Sequence, residues 1–156
     1  MKWIAVDYGE RRTGLAVCDA SELIVTPVTP QIEEKSLNKV AEAAAAARLA
    51  QGAEGVVCGP PRNMDGTEGS RCVKSRRFAA RLATACGVPV VLWDERRTTV
   101  TAAGILSANS TFGADRKARL DSVSAAVILE SFLAWRKAHP GEEPPEVAAP
   151  TAPEQA

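Results

Sequence analysis

The first 32 residues hold three extended stretches with very little chain between them, and no other feature limits the fold as tightly. KWIAVDY (2–8) is an apolar run. TGLAVCD (13–19) follows after the turn GERR, and LIVTPVTPQI (23–32) completes the set. Links this short join antiparallel neighbours, because a parallel pair needs a crossover of roughly a dozen residues. The spacing predicts an antiparallel three-strand meander. Pro27 and Pro30 assign the third strand to a sheet edge, where a missing N–H breaks no ladder bond.

Beyond residue 35 the pattern becomes alternating helix and strand. SLNKVAEAAAAARLAQG (36–52) reads as a helix with Ser36 as N-cap and Gly52 closing it. Its alanine run reflects helix propensity. AEGVVCG (53–59) reads as a strand, TEGSRCVKSRRFAARLATACG (67–87) as a helix closed by Gly87, and VPVVLWDE (88–95) as a strand. TTVTAAGILSA (98–108) reads as a short helix, NSTFGADRKAR (109–119) as a flexible loop, and LDSVSAAVILESFLAWRKA (120–138) as a final amphipathic helix. A meander followed by α-β-α-β-α implies an α/β fold. We expect a mixed five-stranded sheet, the meander plus parallel strands, with helices on both faces.

From His139 onward, HPGEEPPEVAAPTAPEQA lacks any apolar period and reads as a disordered tail over 139–156, leaving one domain over 1–138. The tail carries Glu142, Glu143, Glu146 and Glu154 and no Lys or Arg. A chain of formal net charge zero therefore divides into an acidic tail and a domain with fifteen acids and nineteen bases, a charge of +4. That balance permits a polyanionic partner. No run approaches the roughly 18 apolar residues of a membrane span. The start, MKWIAVDYG, lacks a signal-peptide pattern, so a cytoplasmic protein with no membrane partner is expected. Cys18, Cys58, Cys72 and Cys86 are widely spaced without a CxxC, which suits reduced thiols packed as small hydrophobes better than a zinc site.

Three acidic positions then stand out. Asp7 ends the first strand, the pair Asp94–Glu95 ends the VPVVLW strand, and Asp121 opens the last helix. Ala125, Ile128 and Phe132 follow Asp121 at helical spacing, so Asp121 is expected to face the sheet. Ligands of open α/β sheets collect beyond the carboxyl ends of strands. Taken singly, each acid has an ordinary explanation as a helix or turn cap. Converging at one rim, three carboxylates repel one another, and cations relieve the repulsion. Oxygen donors suit Mg²⁺ or Mn²⁺. Two such ions about 4 Å apart activate a water and stabilise the leaving oxygen in phosphodiester hydrolysis. The lone His139 lies at the entrance to the tail, away from this chemistry.

AVDYGERRTGLAV, GPPRNMDGTEG, DERRTT and LDSVSAAVIL, in this order and spacing, resemble the RuvX family, also called YqgF. Its members are described as Holliday junction resolvases and pre-16S rRNA nucleases. The resemblance covers about residues 3–137. It implies an RNase H-like fold and a cytoplasmic, divalent-metal enzyme that trims the 5′ end of precursor 16S rRNA. Carried over, the family's acidic triad falls on Asp7, Glu95 and Asp121, as metal ligands and catalytic residues. Strand alternation sends Asp94 and Glu95 to opposite faces, so only one of them joins Asp7.

Basic residues border each acid. Arg11 and Arg12 sit on the first turn, Arg96 and Arg97 follow Glu95, and Lys117 lies between Arg116 and Arg119 ahead of Asp121. GPPRNMDG (59–66) joins a strand to a helix. Gly66 allows the turn, and Arg62 and Asn63 are candidates to hold a nucleic-acid phosphate. Tyr8 is the one candidate at the rim for base stacking, with core packing as its other role. The expected activity is a metal-dependent endonuclease on structured nucleic acid, precursor rRNA or branched DNA, working as a monomer or weak homodimer. A Holliday junction resolvase and a non-catalytic RNA-binding assembly or transcription factor are the alternatives. An actin-like or sugar-kinase-like nucleotide-binding fold also uses an Asp-x-Gly hairpin. It needs a second domain that 156 residues do not supply, and it leaves Asp121 without a role.

Overall fold

The computed structural model describes residues 1–9, 11–59, 70–93 and 114–150, and the side chains of all of these except 70–72 and 114–122. The meander forms as expected. β1 (Trp3–Asp7) pairs antiparallel with β2 (Arg12–Cys18), which pairs antiparallel with β3 (Val25–Glu33). β3, with both its prolines, lies at one edge. Helix α1 (Leu37–Gln51) crosses to β4 (Gly55–Cys58), and α2 (Ser70–Cys86) leads to β5 (Val90–Leu92). Ser36 accepts a hydrogen bond from the Lys39 N–H, and Gly52 closes α1 in the left-handed region, as the sequence predicts.

β4 pairs parallel with both β1 and β5, so the strand order is β3-β2-β1-β4-β5-β6. β6 (Val147–Ala148) pairs antiparallel with β5. Among the described residues the sheet thus has six strands instead of the expected five, and the extra one comes from the segment read as a disordered tail. The Pro- and Glu-rich composition hid it. Two residues are too few to show a period, and the pairing draws on an open sheet edge that lies far away in sequence.

The last helix, α3 (Ala114–Ala138), begins six residues before its expected start. Asp115 to Arg119, read as loop, continue the helix because Arg, Lys and Ala are strong helix formers. The expected helix over 98–108 lies outside the described residues.

Strand alternation divides the core in two. Ile4 and Val6 of β1, Val56 and Cys58 of β4, and Val90 and Leu92 of β5 face α1 and α2, meeting Val40, Ala41, Phe78 and Leu82. Trp3, Ala5, Val57, Val91 and Trp93 face α3, meeting Ala125, Ile128, Leu129 and Phe132. Helices therefore cover both faces. Phe132 is fully buried edge-on against Trp3, with ring centroids 4.8 Å apart. Burial of such a ring contributes about 1.5–3 kcal/mol. The ion pair of Arg136 with Glu22 (2.9 Å) is partly exposed and worth about 1 kcal/mol or less. The apolar stripe, not the ion pair, holds α3 on the sheet.

Candidate functional site

Three parallel strands present their carboxyl ends side by side, β1 ending in Asp7, β4 in Cys58 followed by Gly59, and β5 in Leu92 followed by Trp93. Neighbouring strands lie about 4.8 Å apart, so Asp7 and the end of β5 are about 10 Å apart at the backbone, with β4 between them. Asp7 is half-buried, opposite Gly14 in the β1–β2 register. In alternation it follows Trp3 and Ala5, so it belongs to the face covered by α3.

The turn after Asp7 is tightly built. A Cβ on Gly9 would stand 2.2 Å from the Arg12 carbonyl oxygen, so only glycine fits. The Gly9 N–H donates to the Thr13 hydroxyl (3.3 Å), and Thr13 is fully buried. This hairpin carries Arg11 and Arg12 exposed beside the rim. Arg12 lies 4.0 Å from Glu33, with both side chains more than half exposed, so the pair does little to restrain it.

Gly59 brings α3 to the rim. A Cβ there would meet Ile128 Cδ1 at 2.5 Å. Trp93 is fully buried; its N–H donates to the Cys58 carbonyl (2.7 Å), and its indole Nε1–H donates to Ser131 on α3 (3.0 Å). Phe132 and Arg136 lie against Trp3 at the amino end of β1, whereas Ile128 lies against Gly59 at the carboxyl end of β4. α3 thus runs antiparallel to these strands, with its amino end toward the carboxyl rim. Position 121 is seven residues before Ile128 on this helix, about 10 Å further along its axis.

The Cys58 thiol is held well above its usual range, first by complete burial and then by the negative charge of nearby Asp7. The Cys58 side chain belongs to the face that α1 and α2 cover, opposite to that of Asp7.

Of the residues expected in the site, Asp7, Arg11 and Arg12 are described with their side chains, and Asp121 and Lys117 are described only as positions on α3. Glu95, its neighbour Asp94, Arg62, Asn63, Gly66, Arg96 and Arg97 lie outside the described residues. Among the described residues no three His, Cys, Asp or Glu side chains gather closely enough to hold a metal ion. Tyr8 stacks on Phe78 (centroids 4.3 Å apart, planes 11° apart) and packs against the α1–α2 side of the core. His139 stacks on Trp135 at the opposite end of α3 from the rim. The sequence reading puts Ile128 on the stripe that faces the sheet, but it missed Gly59, Trp93 and Ser131 as the parts that fit α3 to the rim. Gly59 was visible only as the first letter of a glycine-containing turn.

A sequence profile of the RuvX family, described as Holliday junction resolvase, matches residues 1–135. A protein of Syntrophus aciditrophicus (strain SB) named "Putative pre-16S rRNA nuclease" is 40% identical over 133 residues, covering 85% of this chain and 88% of its own length. One of Myxococcus xanthus (strain DK1622) with the same name is 40% identical over 135 residues, covering 85% and 87%. Among solved structures, Thermus thermophilus RuvC in complex with a Holliday junction substrate superposes with a TM-score of 0.61 at 13% identity, covering 89% of this chain and 96% of that one. The likeness to RuvC establishes an RNase H-like fold. No helix among the described residues is long and apolar enough to cross a membrane.

Proposed function

This chain belongs to the RuvX (Holliday junction resolvase) family, and from that premise we propose that it is a divalent-metal-dependent endonuclease acting in the cytoplasm on precursor 16S rRNA. The observation that carries the reading is the shared rim. Asp7 ends a strand whose parallel neighbour β4 is itself parallel to β5, on the face that α3 covers, and α3 directs its amino end to that rim. The preference for rRNA over branched DNA comes from the names of the relatives at 40% identity.

Asp7, Glu95 and Asp121 are the proposed ligands, with Mg²⁺ or Mn²⁺ suited to their hard oxygen donors. The parity of β5 supports Glu95 over Asp94. Trp93 is on the α3 face with Asp7, and position 95 shares its parity under the strand that the sequence predicts over 88–95. Gly59, between the two strands, adds no side chain to the gap that the carboxylates must bridge. When bound, the divalent ion supplies a water of lowered pKa and neutralises charge on the leaving oxygen. Arg11 and Arg12 on the hairpin, with Arg62, Asn63, Gly66, Arg96, Arg97 and Lys117, hold the phosphate chain in register. The fully buried Trp93 closes the floor of the rim to water on the α3 side.

The test compares wild type with Asp7→Asn in Mn²⁺, on a 5′-extended 16S fragment and on a four-way DNA junction. Wild type is expected to cut the RNA, with the variant inactive on both. Cleavage of the junction alone favours the resolvase reading, for which the shared RuvC fold is the supporting observation. Equal cutting by both proteins would remove the nuclease assignment and leave a binding protein on a nuclease fold.

A further inference from the structure

We propose that Glu146, with the short strand it leads into, is a positioning element for the carboxyl end of β5; this rests on the nuclease reading above. β5 is three residues long and has two neighbours. On its inner side the Trp93 N–H donates to Cys58 of β4 (2.7 Å). On its outer side the Leu92 N–H donates to the Glu146 carbonyl (3.0 Å), and Val90 and Val91 pair with Ala148 and Val147. The Glu146 carboxylate accepts from Arg76 Nε on α2 (2.8 Å), and Ala148 packs on the core between the sheet and α2. Residues 146–148 therefore form a strap fastened to β5 through the backbone and to α2 through a side chain.

The family match ends at residue 135, so the strap lies beyond it. Among the described residues β6 is the only strand on that side of β5, and the Glu146 carbonyl is the acceptor of the Leu92 N–H, so without the strap β5 becomes the edge of the described sheet. A three-residue strand held on one side frays readily, and fraying here moves Trp93 and the β5 side of the rim. Both partners of the Arg76–Glu146 pair are one-third exposed, so its charge contributes little; the backbone pairing fixes β5, and the hydrogen bond from Arg76 to the Glu146 side chain sets where the strap lies.

The test uses the full chain. Ala148→Pro removes a strap N–H and disfavours the strand. Arg76→Met removes the side-chain anchor, and Glu146→Gln retains an acceptor for Arg76. Val40→Ala, in the core under α1, is the control that lowers stability away from β5. In Ala148→Pro the Leu92 amide should exchange at least about tenfold faster. Mn²⁺ should bind roughly tenfold more weakly by calorimetry, as when the support of a ligand is lost. For cleavage, kcat should fall with KM for the nucleic acid unchanged. Arg76→Met should give a smaller change in the same direction, and Glu146→Gln should match wild type. Unchanged Leu92 exchange in Ala148→Pro overturns the inference. So does faster exchange with unchanged Mn²⁺ affinity, which leaves the nuclease reading intact, or an equal loss of affinity in Val40→Ala. A wild-type chain that neither binds Mn²⁺ nor cuts removes the nuclease reading and this inference with it.

Discussion

Gly9 and Gly59 both stand at the rim, yet a methyl group at each meets a different obstacle. At Gly9 the obstacle is the Arg12 backbone carbonyl, which cannot move without opening the hairpin. At Gly59 it is the outer end of Ile128, which can swing aside. Gly9→Ala is therefore expected to cost about 3 kcal/mol or more, and Gly59→Ala about 1–2 kcal/mol, in urea denaturation. Equal costs would mean that the hairpin is not fixed as described. Cys58 gives a second expectation at this scale. Its folded thiol titrates above the ordinary value of 9.0, so above that pH the unfolded chain has lost a proton that the folded chain keeps. Stability contributed by the protonated thiol is complete below pH 9 and declines as pH rises beyond it, by at most about 1.4 kcal/mol per pH unit. Burial raises Cys18 and Cys86 in the same direction. The informative quantity is thus the difference between wild type and Cys58→Ala, whose stability should fall less steeply between pH 8 and 10 in urea melts.

Among the elements, the β2–β3 connection shows how a turn is fastened by a single carboxylate. Asp19 accepts from the Ser21 hydroxyl and from the backbone N–H groups of Leu23 (2.9 Å) and Ile24 (3.0 Å). The Ser21 hydrogen bond first, and the two backbone donors after it, lower its pKa to about 2. A depressed folded pKa means that the turn is fastened above the ordinary carboxylate value of 3.8 and released as pH falls toward 2. In an NMR titration the Leu23 and Ile24 amides should report a midpoint near 2, and Ser21→Ala should move it up toward 3.8. A wild-type midpoint at the ordinary value would mean that these bonds do not persist in solution. Asp19 was read only as the end of a strand, because a carboxylate that accepts from its own following turn has the same one-letter signature as any solvated acid. The longer elements were legible for the opposite reason. The meander, the Ser36 and Gly52 caps of α1 and the edge position of β3 each depend on chain neighbours a few residues apart. β6 was illegible because its partner is more than fifty residues away and its own sequence carries no period.

At the scale of the whole molecule, the parallel order β1-β4-β5 and the reversed run of α3 bring the ends of distant segments to one rim. The sequence supplied the acids and their strand ends. It did not supply β4 as the spacer between them, nor Gly59 as the residue that seats α3, since both follow from packing between segments separated by dozens of positions. This assembly has a thermodynamic consequence. If Asp7, Glu95 and Asp121 share the rim, folding without a cation forces like charges together, and folding with one is rewarded by binding. At a free Mn²⁺ concentration about a hundredfold above the dissociation constant, wild type should gain about 2.7 kcal/mol, a rise in Tm on the order of 8 °C for a domain of this size. Asp7→Asn keeps the shape and removes one charge. In EDTA it should melt at or above the wild-type temperature, and in Mn²⁺ below it, so the order of the two proteins reverses with the metal. A variant less stable than wild type under both conditions would show that Asp7 serves the fold through its own hydrogen bonds, and that the carboxylates do not repel one another at a common site.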